Sequence, residues 1–468
     1  MTSTRLLLLT ALAVATPAYG QQDATVQQAG TTRDTTAAAA DTQPAKKSEP
    51  KLVRYYAPAI EIQHLRANDM RGINVFESPK TAGASYTGFK LAWGGAFAQQ
   101  FQNLTHQNSA APKMAKDAAG KDYNQNALIP IGSGFNNANA NLYLNAQLAR
   151  GIRVAVEGYA SSRHHNEFWI KDGYFLIDGS PIDNKLLDKI MEVATLKVGH
   201  FEINYGDQHF RRSDNGHTLY NPFVGNLVID AFTTEIGAEA YLRKNGYLAM
   251  LGITGGEVKG SVTAPGKRGP SYLAKVGVDK QLTSDVRVRL TGSMYKKDRS
   301  QSGTLTSGDR AGSRYYDVLE PVGSTESANA WSGAIQSGMR NNVTAFVVNP
   351  FVKVGGAELF GNIETMTGAA AGEKTRRTLR QLAGEALYRF AGEKLYVGGR
   401  ANSVHGQLAG IRNDISVKRY QVGGGWFVTP NVLSKIEFVR QNYEAFPTSD
   451  IRSGGKFEGF MIEGVVAF

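Results

Sequence analysis

The sequence predicts an all-β fold, a transmembrane antiparallel up-and-down β-barrel of about 16 strands. Three observations support this prediction. Long segments alternate apolar and polar residues, the connections between them are alternately short and long, and the chain ends on an alternating strand with a terminal Phe468. No apolar run approaches the roughly 18–20 residues of a membrane-spanning helix, which excludes a helical membrane protein.

The alternation is clearest in "NNANANLYLNAQL", residues 136–148, where Asn, Gln and Tyr alternate with Ala and Leu. A period of two indicates a strand, and strands in water-soluble domains usually run only about 5–6 residues. Lipid cannot satisfy backbone polar groups, so a sheet in a bilayer must close on itself. The Ala and Leu face is therefore expected to meet hydrocarbon, and the Asn and Gln face a watery lumen.

Connection length gives independent support for a barrel. Short turns such as 149–151 and 244–246 contain the Gly and Asn that hairpins need, whereas connections such as 206–231 and 297–342 are long. This sorting predicts short periplasmic turns and long extracellular loops. A short helix is expected within 179–193, and a bulge near Gly199. The predicted strands are 86–102, 134–148, 152–163, 167–178, 194–205, 232–243, 246–257, 271–281, 285–296, 343–353, 357–366, 378–391, 394–404, 415–428, 432–443 and 457–468.

The predicted domain organisation has four parts. Residues 1–20 have the positive start, apolar stretch and small residues of a secretory signal peptide. Residues 21–50, rich in Thr, Ala and Gln, predict a disordered periplasmic tail. Residues 51–83 form a lead-in segment, either a docked coil or a plug strand, and residues 84–468 form the outer-membrane β-barrel.

Composition limits the chemistry. The chain has 468 residues, a formal charge of +11 and no cysteine, which excludes disulfides, thiolate metal sites and cysteine nucleophiles. We expect no cofactor, no metal site, no catalytic residues and no nucleic-acid partner. The expected partners are outer-membrane lipid, lipopolysaccharide, and small hydrophilic solutes or ions.

The strand pattern assigns a set of charged residues to the pore lining, because an arginine facing lipid near the midplane costs about 2–4 kcal/mol. These side chains could brace the wall as ion pairs or set selectivity, and the sequence leaves both roles open. The predicted pore-lining residues are Arg153, Glu157, Lys275, Arg287, Arg289, Glu358, Glu385, Arg389, Arg400, Arg419 and Glu437.

The surplus positive charge is assigned mainly to the loops, including Arg211, Arg212 and Arg314. Basic outer loops could steer anions or could pair with lipopolysaccharide phosphates. The loop "DQHFRRSDNGHTLYNPFVGN", residues 207–226, is long enough to fold into the pore as a constriction. Arg211, Arg212 and Asp214 are its candidate functional residues.

The stretch "LKVGHFEINYG", residues 196–206, resembles the Gly-then-Phe strand pattern of the phosphate-selective porins and related sixteen-strand porins of Gram-negative outer membranes. The run from "RRSDNGHTLYNPFVGN" to "DAFTTEIGAE" is similar to a group of uncharacterised porin-like proteins. The resemblance implies a porin fold and is compatible with a homotrimer. Acidic residues interleave with the basic ones here, unlike the basic ladder that phosphate-selective pores are expected to have.

The functional prediction is an outer-membrane, porin-like channel for passive diffusion of small hydrophilic solutes or ions, with anions as one candidate class. Sixteen to eighteen strands leave an aqueous channel, whereas eight fill their own interior. Two alternatives stay open. One is a barrel enzyme of protease or phospholipase type that uses histidines such as His209 or His217, and the other is a non-conducting structural or adhesive barrel.

Overall fold

Sixteen of the chain's strands form one closed antiparallel barrel, in which each strand pairs with its chain neighbours and the first pairs with the last. The seam joins Ala96–Gln107 to Lys456–Ala467 without a register shift. The prediction of an all-β, up-and-down barrel is confirmed. Closure leaves no sheet edge, so the wall exposes no open backbone ladder to lipid.

The structure is a computed structural model and describes residues 59–62, 65–78, 80, 86–117, 119–163, 167–255, 268–300, 305–306, 308 and 311–468. The predicted signal peptide and tail lie outside the described residues. The barrel strands are β1 (Lys90–Gln107), β4 (Gly134–Ala149), β5 (Ile152–Ser161), β6 (Trp169–Ile177), β7 (Ala194–Glu202), β8 (Thr234–Lys244), β9 (Tyr247–Thr254), β10 (Ser271–Gln281), β11 (Val286–Lys297), β12 (Asn341–Val354), β13 (Ala357–Ala369), β14 (Arg377–Phe390), β15 (Leu395–Gly406), β16 (Ile415–Thr429), β17 (Val432–Glu444) and β18 (Lys456–Ala467).

The remaining regular elements are short. Strands β2 (Met114–Lys116) and β3 (Asp122–Asn124) pair as a hairpin in the first long connection, which the sequence did not predict. Helix α1 (Lys185–Met191) confirms the helix expected within 179–193. Three short 3₁₀ turns cover Met70–Gly72, Gln208–Phe210 and Thr218–Tyr220.

The outer face of the barrel is apolar and the inner face is largely polar. On β4, Leu142 and Leu144 are exposed, while Asn139 and Asn141 are buried inside, as the alternation predicts. An apolar belt around a closed barrel places the protein in the outer membrane, with acyl chains against the belt. Within the described residues, no helix is both long and apolar enough to cross a membrane.

The C-terminal residue completes the seam. The Phe468 N–H donates to the carbonyl of Gly95 at 2.9 Å, and the Gly95 N–H donates back to a Phe468 oxygen at 3.0 Å. The Phe468 ring packs edge-on against Trp93, with ring centroids 6.0 Å apart. The terminal aromatic residue is therefore part of the wall and of its apolar belt.

Three chain segments occupy the bore. We call them the lead-in (from here on residues 65–78 of the predicted segment 51–83), the inner loop (residues 203–233) and the second inner segment (residues 311–319 and 330–340). Their apolar residues pack with inward residues of the wall into buried clusters, one of which contains Val224, Val228 and Ile335. The strand number predicts the width of the bore, but it does not predict that chain, rather than water alone, fills this space.

The bulge expected near Gly199 is wrong. The β7–β8 register continues unbroken from Gly199 opposite Gly237 to Phe201 opposite Glu235. The apparent change of phase arises because Phe201 faces inward and is fully buried in the apolar cluster of the bore. An inward apolar residue is stable there only because the bore contains chain.

We expect Leu290→Arg, near the middle of β11, to lower the free energy of unfolding by about 2–4 kcal/mol, because the exposed Leu290 side chain faces acyl chains. Leu242→Arg, near the periplasmic turn of β8, serves as the matched control and should cost only about 0–1 kcal/mol. Urea unfolding in lipid vesicles measures both. Equal costs at the two depths would contradict the position of the apolar belt.

Candidate functional site

The inner loop enters the bore at a turn built on Gly206. Gly206 has φ +72°, a left-handed conformation that glycine adopts without strain. Its N–H donates to Ser293 Oγ at 3.1 Å, and the Asp207 N–H donates to Asn349 Oδ1 at 2.8 Å. Two polar wall residues thus direct the chain inward as it leaves β7.

Arg211 joins the inner loop to the wall and to the lead-in. Its guanidinium lies 3.2 Å from Glu385 on β14 and 3.8 Å from Glu358 on β13. It also donates to the side chain of Asn74, a lead-in residue whose own amide donates to Glu358 at 2.8 Å. The Arg211 side chain is almost completely buried, so these contacts replace its hydration.

Arg212 and Asp214 hold the next turn of the inner loop. Arg212 forms two hydrogen bonds to Asp230, at 2.7 and 2.5 Å, within the loop itself. Asp214 forms an ion pair with Lys171 on β6. The structure therefore places all three candidate constriction residues inside the bore. Arg211, Arg212 and Arg314 lie in connections between strands, as predicted, but their side chains are buried and add no positive charge to the outer surface.

A four-residue charge cluster forms where the lead-in, the inner loop and the wall meet. Lys275 on β10 lies 2.8 Å from both Glu77 of the lead-in and Asp207 of the inner loop. Arg289 on β11 reaches the same two carboxylates at 2.5 and 2.8 Å. Burial alone would raise the pKa of Glu77, but Lys275 and Arg289 hold that pKa well below its usual range. Glu77 is therefore ionised, and the cluster pairs two cations with two anions.

Other predicted pore-lining residues bind the backbone of the inner segments. Glu437 accepts a hydrogen bond from the Val224 N–H at 2.8 Å. Arg419 donates to the carbonyls of Asn226 at 2.6 Å and Gly333 at 2.7 Å. These charged wall residues form hydrogen bonds with backbone groups of the inner segments that are not paired within a sheet.

The remaining predicted pore-lining residues also face the bore, and most of them form ion pairs. Arg153 is buried on the inner face of β5. The ion pairs are Glu157–Lys171 at 3.4 Å, Arg287–Asp279 at 2.7 Å, Arg389–Glu358 at 2.8 Å and Arg400–Glu385 at 2.8 Å. These distances show that ion pairs between neighbouring strands brace the wall. A role of any one of these residues in selectivity stays a prediction.

A cavity of about 1030 Å³ lies at the periplasmic end of the barrel, beside the lead-in. Charged groups of both signs line it, among them Glu77, Arg289, Arg243 and Arg150. Two members of the charge cluster thus form part of the cavity wall. The cavity therefore extends to the place where the lead-in and the inner loop meet.

The sequence reasoning missed several residues of the site, of which Lys171 is the most instructive. Lys171 and Asp172 are adjacent, yet both are buried. The β5–β6 register shifts between Glu157 and Gly158, so the stretch around Lys171 breaks the period of two. No alternation rule could identify this residue. Glu77 was missed because it belongs to a segment without a strand pattern.

The histidines considered for an enzyme are engaged in other contacts. His209 lies 3.4 Å from Glu202, and its Nε2 is 3.0 Å from Asn204 Oδ1. The ring of His217 packs edge-on against Tyr220, with centroids 4.4 Å apart. In the part of the chain that the structure describes, neither histidine has a hydrogen bond to a serine.

Lys275→Met is expected to lower the free energy of unfolding by about 3 kcal/mol, because it leaves Glu77 and Asp207 buried with less compensating charge. Lys280→Met makes the same change on the same strand, at a lysine that donates to Tyr247 in an exposed contact. This control should cost under about 0.5 kcal/mol. Denaturant titration in detergent micelles checks both, and equal losses would show that the cluster does not stabilise the fold.

No protein-family model matches the chain, and no curated protein matches it. Solved structures with similarity include an anion-selective porin from Comamonas acidovorans, 12% identical over 81% of this chain and 100% of that chain, with a TM-score of 0.48. The outer membrane channel DcaP of Acinetobacter baumannii is 10% identical over 83% of this chain and 100% of that chain, with a TM-score of 0.47. A trimer form of the outer membrane protein OmpT of Vibrio cholerae is 10% identical over 81% and 100%, with a TM-score of 0.45. Identities of 10–12% with TM-scores of 0.45–0.48 assign no function to this chain.

Proposed function

We propose that the protein is an outer-membrane, porin-like channel for small hydrophilic solutes or ions, closed by its lead-in and narrowed by its inner loop. The observation that carries this proposal is the charge cluster of Glu77, Lys275, Arg289 and Asp207 beside the periplasmic cavity. A ring of sixteen strands is wide enough for an aqueous path. In the described state, chain segments occupy that path.

The lead-in is the segment suited to moving. Its described residues contain one 3₁₀ turn and no strand, so it forms no ladder with the wall. Side-chain contacts through Glu77 and Asn74 hold it. Hydrogen bonds from the Met70 N–H to the Pro430 carbonyl at 2.9 Å, from Arg66 to the Phe210 carbonyl at 3.0 Å and from Asn68 to the Phe468 carbonyl at 3.2 Å also hold the lead-in, and none of them belongs to a ladder between wall strands. It can therefore leave the bore without breaking the hydrogen bonds that close the barrel.

The inner loop is suited to staying in place as the constriction. Both of its ends continue into wall strands, β7 and β8. Its Arg211 pairs with Glu385 of the wall, and its Arg212 pairs with Asp230 inside the loop. Removal of the lead-in would leave these two attachments intact. The constriction would then present the charges of the inner loop to the permeating solute.

The full-length protein in planar lipid bilayers should show discrete conductance steps, and Glu77→Gln should increase the open fraction. The substitution removes the charge that holds the lead-in against Lys275 and Arg289. Glu61→Gln is the matched control, since Glu61 is exposed and lies 3.6 Å from Lys90. We expect this control to behave as the parent protein does.

Ion selectivity tests the role of the inner loop. The double substitution Arg211→Gln with Arg212→Gln leaves Glu385 and Asp230 without their cationic partners in the loop. The reversal potential in a salt gradient should therefore shift toward cation preference. An unchanged reversal potential in a folded, conducting variant would reject the inner loop as the selectivity element.

A non-conducting structural barrel is the second candidate, because apolar clusters fill part of the bore. Leu219, Tyr220 and Phe223 of the inner loop pack with inward wall residues in one such cluster. Conductance separates the two functions. Folded parent protein and folded Glu77→Gln variant that both remain silent would contradict the channel and favour the structural barrel.

A further inference from the structure

A depression crosses the lipid-facing side of strands β13 to β16. One row across the sheet contains Gly361, Gly384 and Ala401, which lie directly opposite one another in register. The next row contains Ala386 opposite Gly399. Small residues thus occupy a two-by-two array on β14 and β15.

Large side chains form the sides of this depression. Leu359 lies opposite Ala386 on one side, and Val422 lies opposite Gly399 on the other. Tyr420, opposite Ala401, completes the same side. The resulting apolar groove measures about 730 Å³, within the range of small-molecule sites. It faces the acyl chains of the membrane.

A polar pocket lies on the same two strands, at their extracellular ends. It measures about 210 Å³, and Arg376, Arg380, His405 and Asp414 are among its lining residues. Arg380 lies directly opposite His405 in the β14–β15 register. His405 is 3.3 Å from Asp414, whereas Arg380 is exposed and forms no ion pair with a described residue. The pocket therefore offers a cationic group on the outer surface.

The pocket and the groove have the spacing of a lipid head and its chains. Arg380 and Gly384 both point outward on β14 and are four residues apart in the chain. At about 3.3 Å per residue, this separation is about 13 Å along the strand. An anionic group on Arg380 would therefore place attached acyl chains in the groove toward the membrane centre.

We propose that this combined surface binds one phosphorylated, multiply acylated lipid of the outer leaflet, the lipid A part of lipopolysaccharide. A phosphate group pairs with Arg380 and Arg376, and an acyl chain fills the groove formed by the small residues of β14 and β15. Arginine is suited to such a head because it binds phosphate bidentately. The proposal does not depend on channel activity.

Charge complementarity favours a lipid over a second copy of this chain as the occupant. A second copy of this chain seated in the groove would cover the apolar array, but it would also have to place a carboxylate at the exposed Arg380 to pair with its charge. A lipid with phosphate on its head satisfies the cation and the groove together.

Native mass spectrometry of the full-length protein in detergent, with added bisphosphorylated lipid A, tests the proposal. The parent should retain one tightly bound lipid A per chain. Arg380→Glu should lower the bound fraction about tenfold, because it reverses the charge that meets the phosphate. Gly384→Leu should lower it by about the same factor by filling the groove. A Cβ atom added at Gly384 meets no atom within 4 Å, so the fold tolerates this change.

Strand β11 supplies matched controls with the same spacing. Gly292 is also open to an added Cβ, and the exposed Lys296 lies four residues further along, toward the extracellular end. Lys296→Glu and Gly292→Leu should leave the bound fraction of lipid A unchanged. Arg380→Lys should bind lipid A more tightly than Arg380→Glu but less tightly than the parent, because lysine keeps the charge and loses the bidentate geometry. The mobility of unheated samples on SDS gels shows that each variant is folded.

Three outcomes would overturn the proposal. The first is an equal loss of lipid A binding in the β11 controls. The second is displacement of lipid A by an equal concentration of phosphatidylglycerol, which would mean that any anionic lipid fits. The third is a Gly384→Leu variant that binds lipid A normally but changes its oligomeric state, which would assign the groove to a second copy of the chain.

Discussion

The constraint on which the structure depends is that lipid offers no hydrogen bonds to the backbone. Every wall strand must therefore pair on both sides, and the pairing of β1 with β18 meets this requirement at the seam. The constraint is visible where the wall contains a proline. Pro350 on β12 has no N–H, and in the same stretch the Asn349 side chain donates to the Gly361 carbonyl of β13 at 3.0 Å. A side chain there replaces a missing ladder bond.

Closure with sixteen strands creates a wide bore, and the chain inside it must satisfy its backbone groups without a sheet of its own. Polar wall side chains provide the partners. Gln381 accepts from the Ile229 N–H at 2.8 Å and donates to the Ile229 carbonyl at 2.9 Å. Asn402 accepts from the Val228 N–H at 2.6 Å. The inward amides thus act toward the inner loop as a neighbouring strand would, and they allow apolar residues such as Val228 to be buried beside them.

The sequence predicts the strands of the wall well because one constraint, contact with lipid on the outer face, determines their pattern of apolar and polar residues. Alternation along β4 and the sorting of connection lengths both follow from having lipid on one side, so strands and register could be inferred. The contents of the bore could not be inferred, because inward amides and charges suit water and enclosed chain equally. Phe201 illustrates the difficulty, since its inward position looked like a bulge until the cluster around it was visible. Lys171 lies at a real register shift that leaves no periodic signal.

The charge cluster also connects opening to selectivity under the proposed function. Glu77 is the only member of the four-residue cluster that the lead-in contributes. Departure of the lead-in would leave Lys275 and Arg289 facing Asp207, so two cations would remain with one anion of the original cluster. Asp279, 3.2 Å from Arg289, also pairs with Arg287 and so adds no net negative charge. Departure of the lead-in would therefore make the wall of the channel more positive at this cluster. Anion preference would then be a property of the open channel, because in the closed state the two cations of the cluster are paired with two anions.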